Sequence, residues 1–392
     1  MSQQLISRSP DLWRLRNEGY DIEVRGGWLV VRDVPYLNYA RELKRGMIVT
    51  QLTLAGDVTT QPQDHTVYFA GDPPCHKDGI EIPICASSGR SEIVSGLYVD
   101  HYLSRKPIGS PYADFYEKIT TYVAIVSSPA QFLYSNATAM TSPVVEAKEE
   151  ESVFNYIDTA SSRAGISVIT DKLEVPRIAI VGLGGSGSYV LDLVAKTPVN
   201  EIHLFDGDTF SQHNAFRSPG APSVDQLRGH PKKASFFQQE YSKMRRHIIS
   251  HDSYIDESNV DQLRDMSFVF LCLDRGSAKK LLVERLEAFG VPFIDVGLGI
   301  YHVNEALAGT VRTTLSTPSK RDHVSAKNRI PFSDGENNEY SQNIQIADLN
   351  ALSAVLAVIK WKKTLGFYQD LGQEHFTAYS INDNVLINED IP

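Results

Sequence analysis

Cysteine is scarce in this sequence, and its scarcity argues against two structural classes. The 392 residues include three cysteines, Cys75, Cys85 and Cys272. They are too few and too scattered for a disulfide framework, and they form none of the close pairs that structural zinc modules use. We therefore expect neither a disulfide framework nor a structural zinc site.

Long apolar runs are absent as well. No stretch is long enough for a membrane-spanning helix, and the N-terminal residues MSQQLISRSPDLW lack the apolar centre of a signal peptide. These absences predict a cytoplasmic protein without a membrane partner.

Positive charge is in deficit. Lysine and arginine together number 38 against 48 aspartates and glutamates, and the formal net charge is −10. A general nucleic-acid binder needs a basic surplus to neutralise phosphates. We therefore expect no nucleic-acid partner.

What remains is an ordinary globular composition, with 42% hydrophobic and 22% charged residues. The chain length predicts two or three domains. Residues 142–152, SPVVEAKEEES, have the composition of a solvated linker. The linker separates an expected N-terminal domain, residues 1–145, from an expected C-terminal domain, residues 153–392.

The N-terminal domain is predicted to be a compact α+β unit. A short helix near residues 11–18 precedes runs rich in β-branched and aromatic residues. Residues 115–126 fit either a helix or a strand.

Three interpretations remain open for the segment HTVYFAGDPPCH, residues 65–76. Cys75 could be a nucleophile beside His76. Cys75 and His76 could instead bind a metal with Cys85 and His101, although the spacing matches no zinc module. The third interpretation is a Pro-Pro turn with an inert cysteine, in which Cys85 is buried as a small hydrophobic residue.

The stretch from Arg177 to Asp208 has the pattern of a nucleotide-binding βαβ unit. The apolar run IAIV leads into the turn GLGGSG, an amphipathic helix and a second strand that ends in Asp206-Gly-Asp208. Glycines let the backbone approach phosphate, and the helix N-terminus offers free N–H groups. The acid at the strand end can accept hydrogen bonds from ribose hydroxyls. The glycines of the turn are Gly182, Gly184, Gly185 and Gly187.

Strands and helices continue to alternate to about residue 296, which predicts an α/β fold with a doubly wound, Rossmann-like, mostly parallel sheet. Aspartates fall at the expected carboxyl ends of strands, where ligands of such sheets bind; one of them alone would more often cap the next helix. These aspartates are Asp206, Asp208, Asp274 and Asp295.

Beyond residue 310 the pattern changes. Residues 311–342 are polar and rich in loop formers, and they predict a crossover loop at about 314–341. An apolar helix over residues 346–365 and a final edge strand over 378–388 are expected to follow.

The motifs after the glycine turn are more specific than the turn itself. Asp206-Gly-Asp208 is followed by Asn214-Ala-Phe-Arg217, then Gly229-His-Pro-Lys232, then Cys272-Leu-Asp274. This succession resembles the adenylating domain of the HesA/MoeB/ThiF family, which is shared with ubiquitin-activating enzymes. The likeness extends over roughly residues 155–392.

The resemblance implies an ATP-dependent adenylyltransferase that activates the C-terminal carboxylate of a ubiquitin-like or sulfur-carrier protein. ATP and Mg²⁺ are the implied cofactors. By the same resemblance, the glycine turn and Asp206-Gly-Asp208 bind the nucleotide, with Asp206 on the ribose. Asn214 orders the phosphate site, Arg217 and Lys232 contact phosphates, and Asp274 holds magnesium. A guanidinium fork and an ammonium point charge suit these phosphate contacts.

The family also implies partners. Its members often use an arginine of a partner subunit that lies upstream of the glycine turn, and Arg163 is the candidate here. A shared site of this kind implies a homodimer. Bacterial fusions of this family, some with domains resembling ubiquitin-conjugating enzymes, imply a conjugation pathway and a conjugating enzyme as a further partner.

The destination of the activated acyl group stays open. No cysteine follows Cys272, so the thiol that many relatives use is missing. The enzyme could stop at the acyl-adenylate, pass the acyl group to Cys75 or another protein, or use a hydroxyl of the segment TTLST. An activating base would then be required, and His323 is near in sequence. The candidate hydroxyls are those of Thr313, Thr314, Ser316 and Thr317.

Two rival functions belong to other classes. A nicotinamide-dependent oxidoreductase would need the glycine turn and one acid, but not the series Asn214, Arg217 and Lys232. A catalytically silent adaptor would keep the fold without binding ATP.

Overall fold

A computed structural model describes residues 2–107, 109, 111–147, 152–332 and 344–392. Contacts divide the chain into two compact units. The first comprises Met1–Val145 with Ser162–Gly165, and the second comprises Glu146–Ser161 with Ile166–Pro392. Among the described residues, no helix is both long enough and apolar enough to cross a bilayer.

The N-terminal unit is built on a six-stranded antiparallel sheet of order β1-β2-β3-β6-β8-β7. Its helices are α1 (Ser2–Arg8), α2 (Pro10–Glu18) and α3 (Phe115–Leu133). Its sheet strands are β1 (Ile22–Arg25), β2 (Trp28–Leu37), β3 (Leu43–Gln51), β6 (Thr66–Ala70), β7 (Cys85–Val94) and β8 (Leu97–Ser104), and a separate small hairpin consists of β4 (Leu54–Ala55) and β5 (Val58–Thr59).

Residues 115–126, which fit either a helix or a strand by sequence, belong to helix α3. The Asp114 side chain accepts a hydrogen bond from Glu117 N at 2.8 Å and caps the helix. A capped N-terminus satisfies one of the free N–H groups and favours helix over strand. The apolar face of α3, including Ile119 and Tyr122, then packs in one core with Val31 of β2.

The C-terminal unit is built on an eight-stranded sheet of order β11-β10-β9-β12-β13-β14-β15-β16. The strands from β11 to β13 are parallel, and those from β14 to β16 are added antiparallel. The strands are β9 (Arg177–Val181), β10 (Glu201–Phe205), β11 (Ile248–His251), β12 (Phe268–Leu271), β13 (Phe293–Val303), β14 (Ala306–Ser316), β15 (Phe376–Ser380) and β16 (Val385–Glu389). The helices are α4 (Thr159–Arg163), which extends into the first unit, α5 (Ser167–Thr170), α6 (Gly185–Val194), α7 (Gln212–Ala215), α8 (Val224–Arg228), α9 (Lys233–Tyr241), α10 (Gly276–Phe289), α11 (Asp322–Ala326) and α12 (Ala347–Thr364).

The doubly wound α/β fold predicted from the sequence is confirmed. Helices α6 and α12 pack with one face of the sheet, and α10 packs with the other. Strand β9 is central, with β10 on one side and β12 on the other. The carboxyl ends of β9 and β12 therefore form the topological switch point, where sheets of this type bind ligands.

Two predictions near the C-terminus are wrong. Residues 311–316 are part of β14 and lie between β13 and β15, because their threonines are β-branched and fit a sheet despite being polar. Residues 378–388 form a hairpin of β15 and β16 instead of one edge strand. Of the predicted crossover loop, residues 333–341 lie outside the described residues.

Candidate active site

The glycine turn between β9 and α6 is held by close backbone contacts. Gly182 has a φ of +90°, and a Cβ atom on it would lie 2.6 Å from the carbonyl oxygen of Cys272. A Cβ atom on Gly187 would lie 1.8 Å from the carbonyl oxygen of Gly182. Only glycine fits either position without moving the backbone. The turn thus packs against the residue that follows β12 and connects β9 to the N-terminus of α6.

Gly187→Ala is expected to abolish any rise in melting temperature on addition of ATP, because the turn cannot close around the added methyl group. Gly299→Ala is the matched control, since a Cβ atom there would be no closer than 3.6 Å to its neighbours. Thermal unfolding with and without ATP measures both variants. An unchanged ATP shift in Gly187→Ala would contradict the role of this turn.

Asp206 supports the turn from the end of β10. Its carboxylate accepts hydrogen bonds from Leu183 N at 2.6 Å and from Asp208 N at 2.8 Å. Burial raises the pKa of Asp206, and the positive charge of Lys233 opposes this rise. The side chain predicted to bind ribose is therefore buried and already fixed to the turn.

Asp208 presents a more accessible carboxylate beside it. The ammonium group of Lys233 lies 2.7 Å from Asp208 Oδ2, and the Tyr254 hydroxyl donates a hydrogen bond to the same side chain. The Tyr254 ring also lies against Gly207. The sequence interpretation gave no role to Lys233, which follows the motif lysine, and it missed Tyr254, which follows a different strand.

Asn214 and Arg217 contribute buried donors. Asn214 Oδ1 accepts from Ser211 N at 2.9 Å and closes the cap of α7. Asn214 Nδ2 and Arg217 Nε are both buried without a hydrogen-bond partner among the described residues. Desolvation lowers the pKa of Arg217, and the charges of Asp274 and Asp208 oppose that shift. Unpaired buried donors are costly, so these two atoms fit an anionic ligand.

Asn350 of α12 links the glycine turn to the arginine segment, and the sequence interpretation missed it. Its Oδ1 accepts from Ser186 Oγ at 3.1 Å, and its Nδ2 donates to the carbonyl oxygen of Arg217 at 3.3 Å. A Cβ atom on Gly185 would lie 2.0 Å from that same Nδ2. Gly185 is therefore required by the packing of α6 against α12, whereas Gly184 precedes the helix as its N-cap.

Lys232 and Asp274 are exposed members of the motif series. Lys232 Nζ donates to the carbonyl oxygen of Gly207 at 2.6 Å, and its side chain is exposed. Asp274 is exposed in the segment between β12 and α10. The described residues hold no group of three histidine, cysteine or acidic side chains that could bind a metal by themselves. A magnesium ion at Asp274 would thus take most of its ligands from phosphate and water.

The hydroxyls of the TTLST segment differ in access. Thr313, Thr314 and Ser316 are almost fully buried in β14. Thr317 is half-buried, and its Oγ1 lies 3.2 Å from His375 Nε2. The base suggested by sequence, His323, is buried with its Nε2 bonded to the carbonyl oxygen of Leu315. Only Thr317 of these four is both accessible and next to an imidazole, and the imidazole is that of His375.

The remaining candidates lie in the N-terminal unit. Arg163 Nη2 donates to the carbonyl oxygen of Asn17 at 2.9 Å. Cys75 is buried, and its thiol donates to the carbonyl oxygen of Pro73 at 3.3 Å. All three cysteines are free. Cys85 is partly exposed, so the expectation that it is buried is wrong.

Comparison with known families decides the classification, because the model of the ThiF family matches residues 159–376. The chain belongs to the ThiF family. A second model, described as a domain of unknown function (DUF6791), matches residues 10–159. The ThiF-family domain thus includes the glycine turn, the motif series from Asp206 to Asp274, and Asn350.

Similar solved structures include one of PaaA and two of MccB. PaaA is 19% identical, with 57% of this chain and 66% of that chain covered and a TM-score of 0.44. MccB of E. coli is 15% identical, with 79% of this chain and 93% of that chain covered and a TM-score of 0.46. The MccB structure with N-formylated MccA is 18% identical, covers 59% of this chain and 70% of that chain, and has a TM-score of 0.46. The chain thus spans slightly less than two thirds of PaaA. No curated protein matches the sequence.

Proposed function

We propose that this ThiF-family protein is an ATP-dependent adenylyltransferase. It activates the C-terminal carboxylate of a ubiquitin-like or sulfur-carrier protein and releases pyrophosphate. The observation that supports this most is the pair of buried, unpartnered donors, Asn214 Nδ2 and Arg217 Nε, in the motif segment that Asn350 ties to the glycine turn. A triphosphate offers the acceptor oxygens that these donors lack.

Each group of candidate residues has its own proposed role. In this proposal the glycine turn and the N-terminus of α6 bind phosphate, and Asp206 and Asp208 accept hydrogen bonds from the ribose hydroxyls. As a carboxylate oxygen attacks the α-phosphorus, Arg217 and Lys232 stabilise the charge that develops on the phosphate oxygens. When bound through Asp274, Mg²⁺ would neutralise charge on the phosphates.

We propose further that the enzyme is a cytoplasmic homodimer in which Arg163 acts in the partner subunit's site. Its pathway is a bacterial ubiquitin-like conjugation system, and a conjugating enzyme is a second partner. The N-terminal unit is then the companion module for partner binding or acyl transfer. We also propose that the N-terminal domain ends at residue 145 and that the C-terminal domain begins at residue 153.

Pyrophosphate exchange tests the activity. The enzyme is incubated with ATP, magnesium, labelled pyrophosphate and a small ubiquitin-like or sulfur-carrier protein that has a free C-terminus. We expect the label to be incorporated into ATP. The same carrier with its C-terminus amidated is the control, because it offers no carboxylate to attack phosphorus. Exchange that is equal with both carriers would contradict carboxylate activation.

Thermal unfolding separates this function from its rivals. We expect ATP to raise the melting temperature and NAD to leave it unchanged, because we propose that Arg217 and Lys232 bind a triphosphate, which NAD lacks. Protection by NAD alone would favour the oxidoreductase. Protection by neither nucleotide would favour the silent adaptor.

A further inference from the structure

A hairpin in the N-terminal unit brings a thiol, a hydroxyl and an imidazole together. Cys85 and Ser88 lie on β7, and His101 lies opposite Ser88 on β8. The pairing of β7 with β8 is irregular between Cys85 and Ser87. Residues three apart on a regular strand point to opposite faces, but a bulge inserts one residue and returns both side chains to one face. The irregularity thus places Cys85 and Ser88 beside the same histidine.

The hydrogen bonds fix the histidine tautomer. His101 Nε2 lies 3.0 Å from the carbonyl oxygen of Gly71, which can only accept, so Nε2 carries the proton. Gly71 is itself held in place, because its N–H donates to Asp100 Oδ2 at 2.9 Å. His101 Nδ1 is therefore an acceptor. This orientation is what a general base needs, with the second nitrogen held by a fixed carbonyl.

Two groups reach that acceptor. Ser88 Oγ lies 2.9 Å from His101 Nδ1, and Cys85 Sγ lies 3.8 Å from the same nitrogen. Cys85 Sγ and Ser88 Oγ are 3.4 Å apart. A proton can thus pass from the thiol to the imidazole directly or through the serine hydroxyl. His101 is buried, whereas Ser88 is exposed and Cys85 is partly exposed, so an acyl donor can approach the sulfur from solvent.

We propose that Cys85 is an acyl-accepting nucleophile, with His101 as its general base and Ser88 as the relay between them. Burial raises the pKa of the Cys85 thiol, and the charge of Glu81 also acts in that direction. The thiol is then mostly protonated at neutral pH and depends on a base. Both thiols donate to a backbone carbonyl, that of Pro73 for Cys75 and that of Ser87 for Cys85. Cys75 differs because it is buried, with 2% of its surface exposed.

The transfer step balances without a further reactant. This part rests on the proposed function, since the donor is the acyl-adenylate. The Cys85 sulfur forms a bond to the carbonyl carbon, and the bond from that carbon to the phosphate oxygen breaks. AMP leaves with the electron pair, and the thiol proton moves to His101 Nδ1. The products are a thioester on Cys85 and AMP.

Acetylation by p-nitrophenyl acetate tests the site without ATP. We expect one acetyl group on Cys85 of the full chain, located by peptide mapping and released by neutral hydroxylamine as a thioester is. His101→Asn is expected to slow its formation by about 10²-fold or more, the usual contribution of a general base. Ser88→Ala is expected to slow it by a smaller factor, because the direct path to His101 remains. Cys75→Ala is the matched control and should leave the rate unchanged.

Several outcomes would overturn the proposal. They are acetylation of Ser88 or Thr317 in place of Cys85, an unchanged rate in Cys85→Ala, and an unchanged rate in both His101→Asn and Ser88→Ala. If His101→Asn fails to fold, as judged by circular dichroism, His101→Gln replaces it, because a glutamine amide can keep the hydrogen bond to the carbonyl oxygen of Gly71 while removing the base. Pyrophosphate exchange by Cys85→Ala separates the two hypotheses. We expect Cys85→Ala to exchange pyrophosphate normally but to lose acetylation at this position. If the enzyme without substitutions shows no exchange, adenylation is contradicted, and the acetylation result for Cys85 still stands.

Discussion

Arg217→Ala is expected to lower the rate of pyrophosphate exchange by about 10²–10³-fold, the usual effect of removing one donor aimed at transition-state charge. The guanidinium is partly buried and has an unpartnered Nε, and the Asn350 side chain holds its backbone carbonyl. Asn350 thus anchors the backbone of Arg217 while the Nε donor stays available to an acceptor, so the substitution is expected to remove a positive charge that water does not replace.

The chain offers a matched control for this change. Arg228 is also an arginine of the motif region, but its side chain is 76% exposed and pairs with the nearby surface residue Asp225. Arg228→Ala should therefore leave exchange unchanged. Arg217→Lys should fall between the two, because it keeps the charge but loses the planar fork. Exchange that persists in the double variant Arg217→Ala and Lys232→Ala would contradict both phosphate roles.

The sequence predicted the parts of this site that are local. The turn from Gly182 to Gly187 and the acid Asp206 lie within one βαβ unit, and fully apolar strands such as β9 and β12 can be recognised without knowing their neighbours. Family resemblance then extended the prediction to Asn214 and Arg217. In both cases the informative residues are close together in the chain.

What the sequence could not predict depends on distant contacts. Asn350 comes from a helix far beyond the motifs and reaches the turn only because α12 packs against α6. Tyr254 meets Asp208 only because β11 lies beside β10. The sequence groups Cys85 with His101 only as two of four metal-ligand candidates. Their contact through Ser88 depends on the irregular pairing of β7 with β8.

The buried ion pair between Lys279 and Asp295 gives the largest expected effect on stability. Lys279 of α10 lies 2.6 Å from Asp295 of β13, and both side chains are almost fully buried. Asp295 also lies 3.8 Å from Arg312 of β14. Removing one partner of a buried pair leaves a desolvated charge uncompensated, which typically costs about 3–5 kcal/mol. Asp295→Leu is therefore expected to lower the free energy of unfolding by that amount.

The double variant distinguishes a missing charge from a disturbed core. Lys279→Met combined with Asp295→Leu removes both charges at similar volume, so it should recover most of the stability that Asp295→Leu loses. Glu284→Gln is the control, because its pair with Lys280 is exposed at 4.0 Å and should change the free energy of unfolding by less than about 0.5 kcal/mol. Urea titration monitored by hydrogen exchange in β12 and β13 measures all three. A double variant no more stable than Asp295→Leu would show that packing around Asp295, not the unpaired lysine, causes the loss.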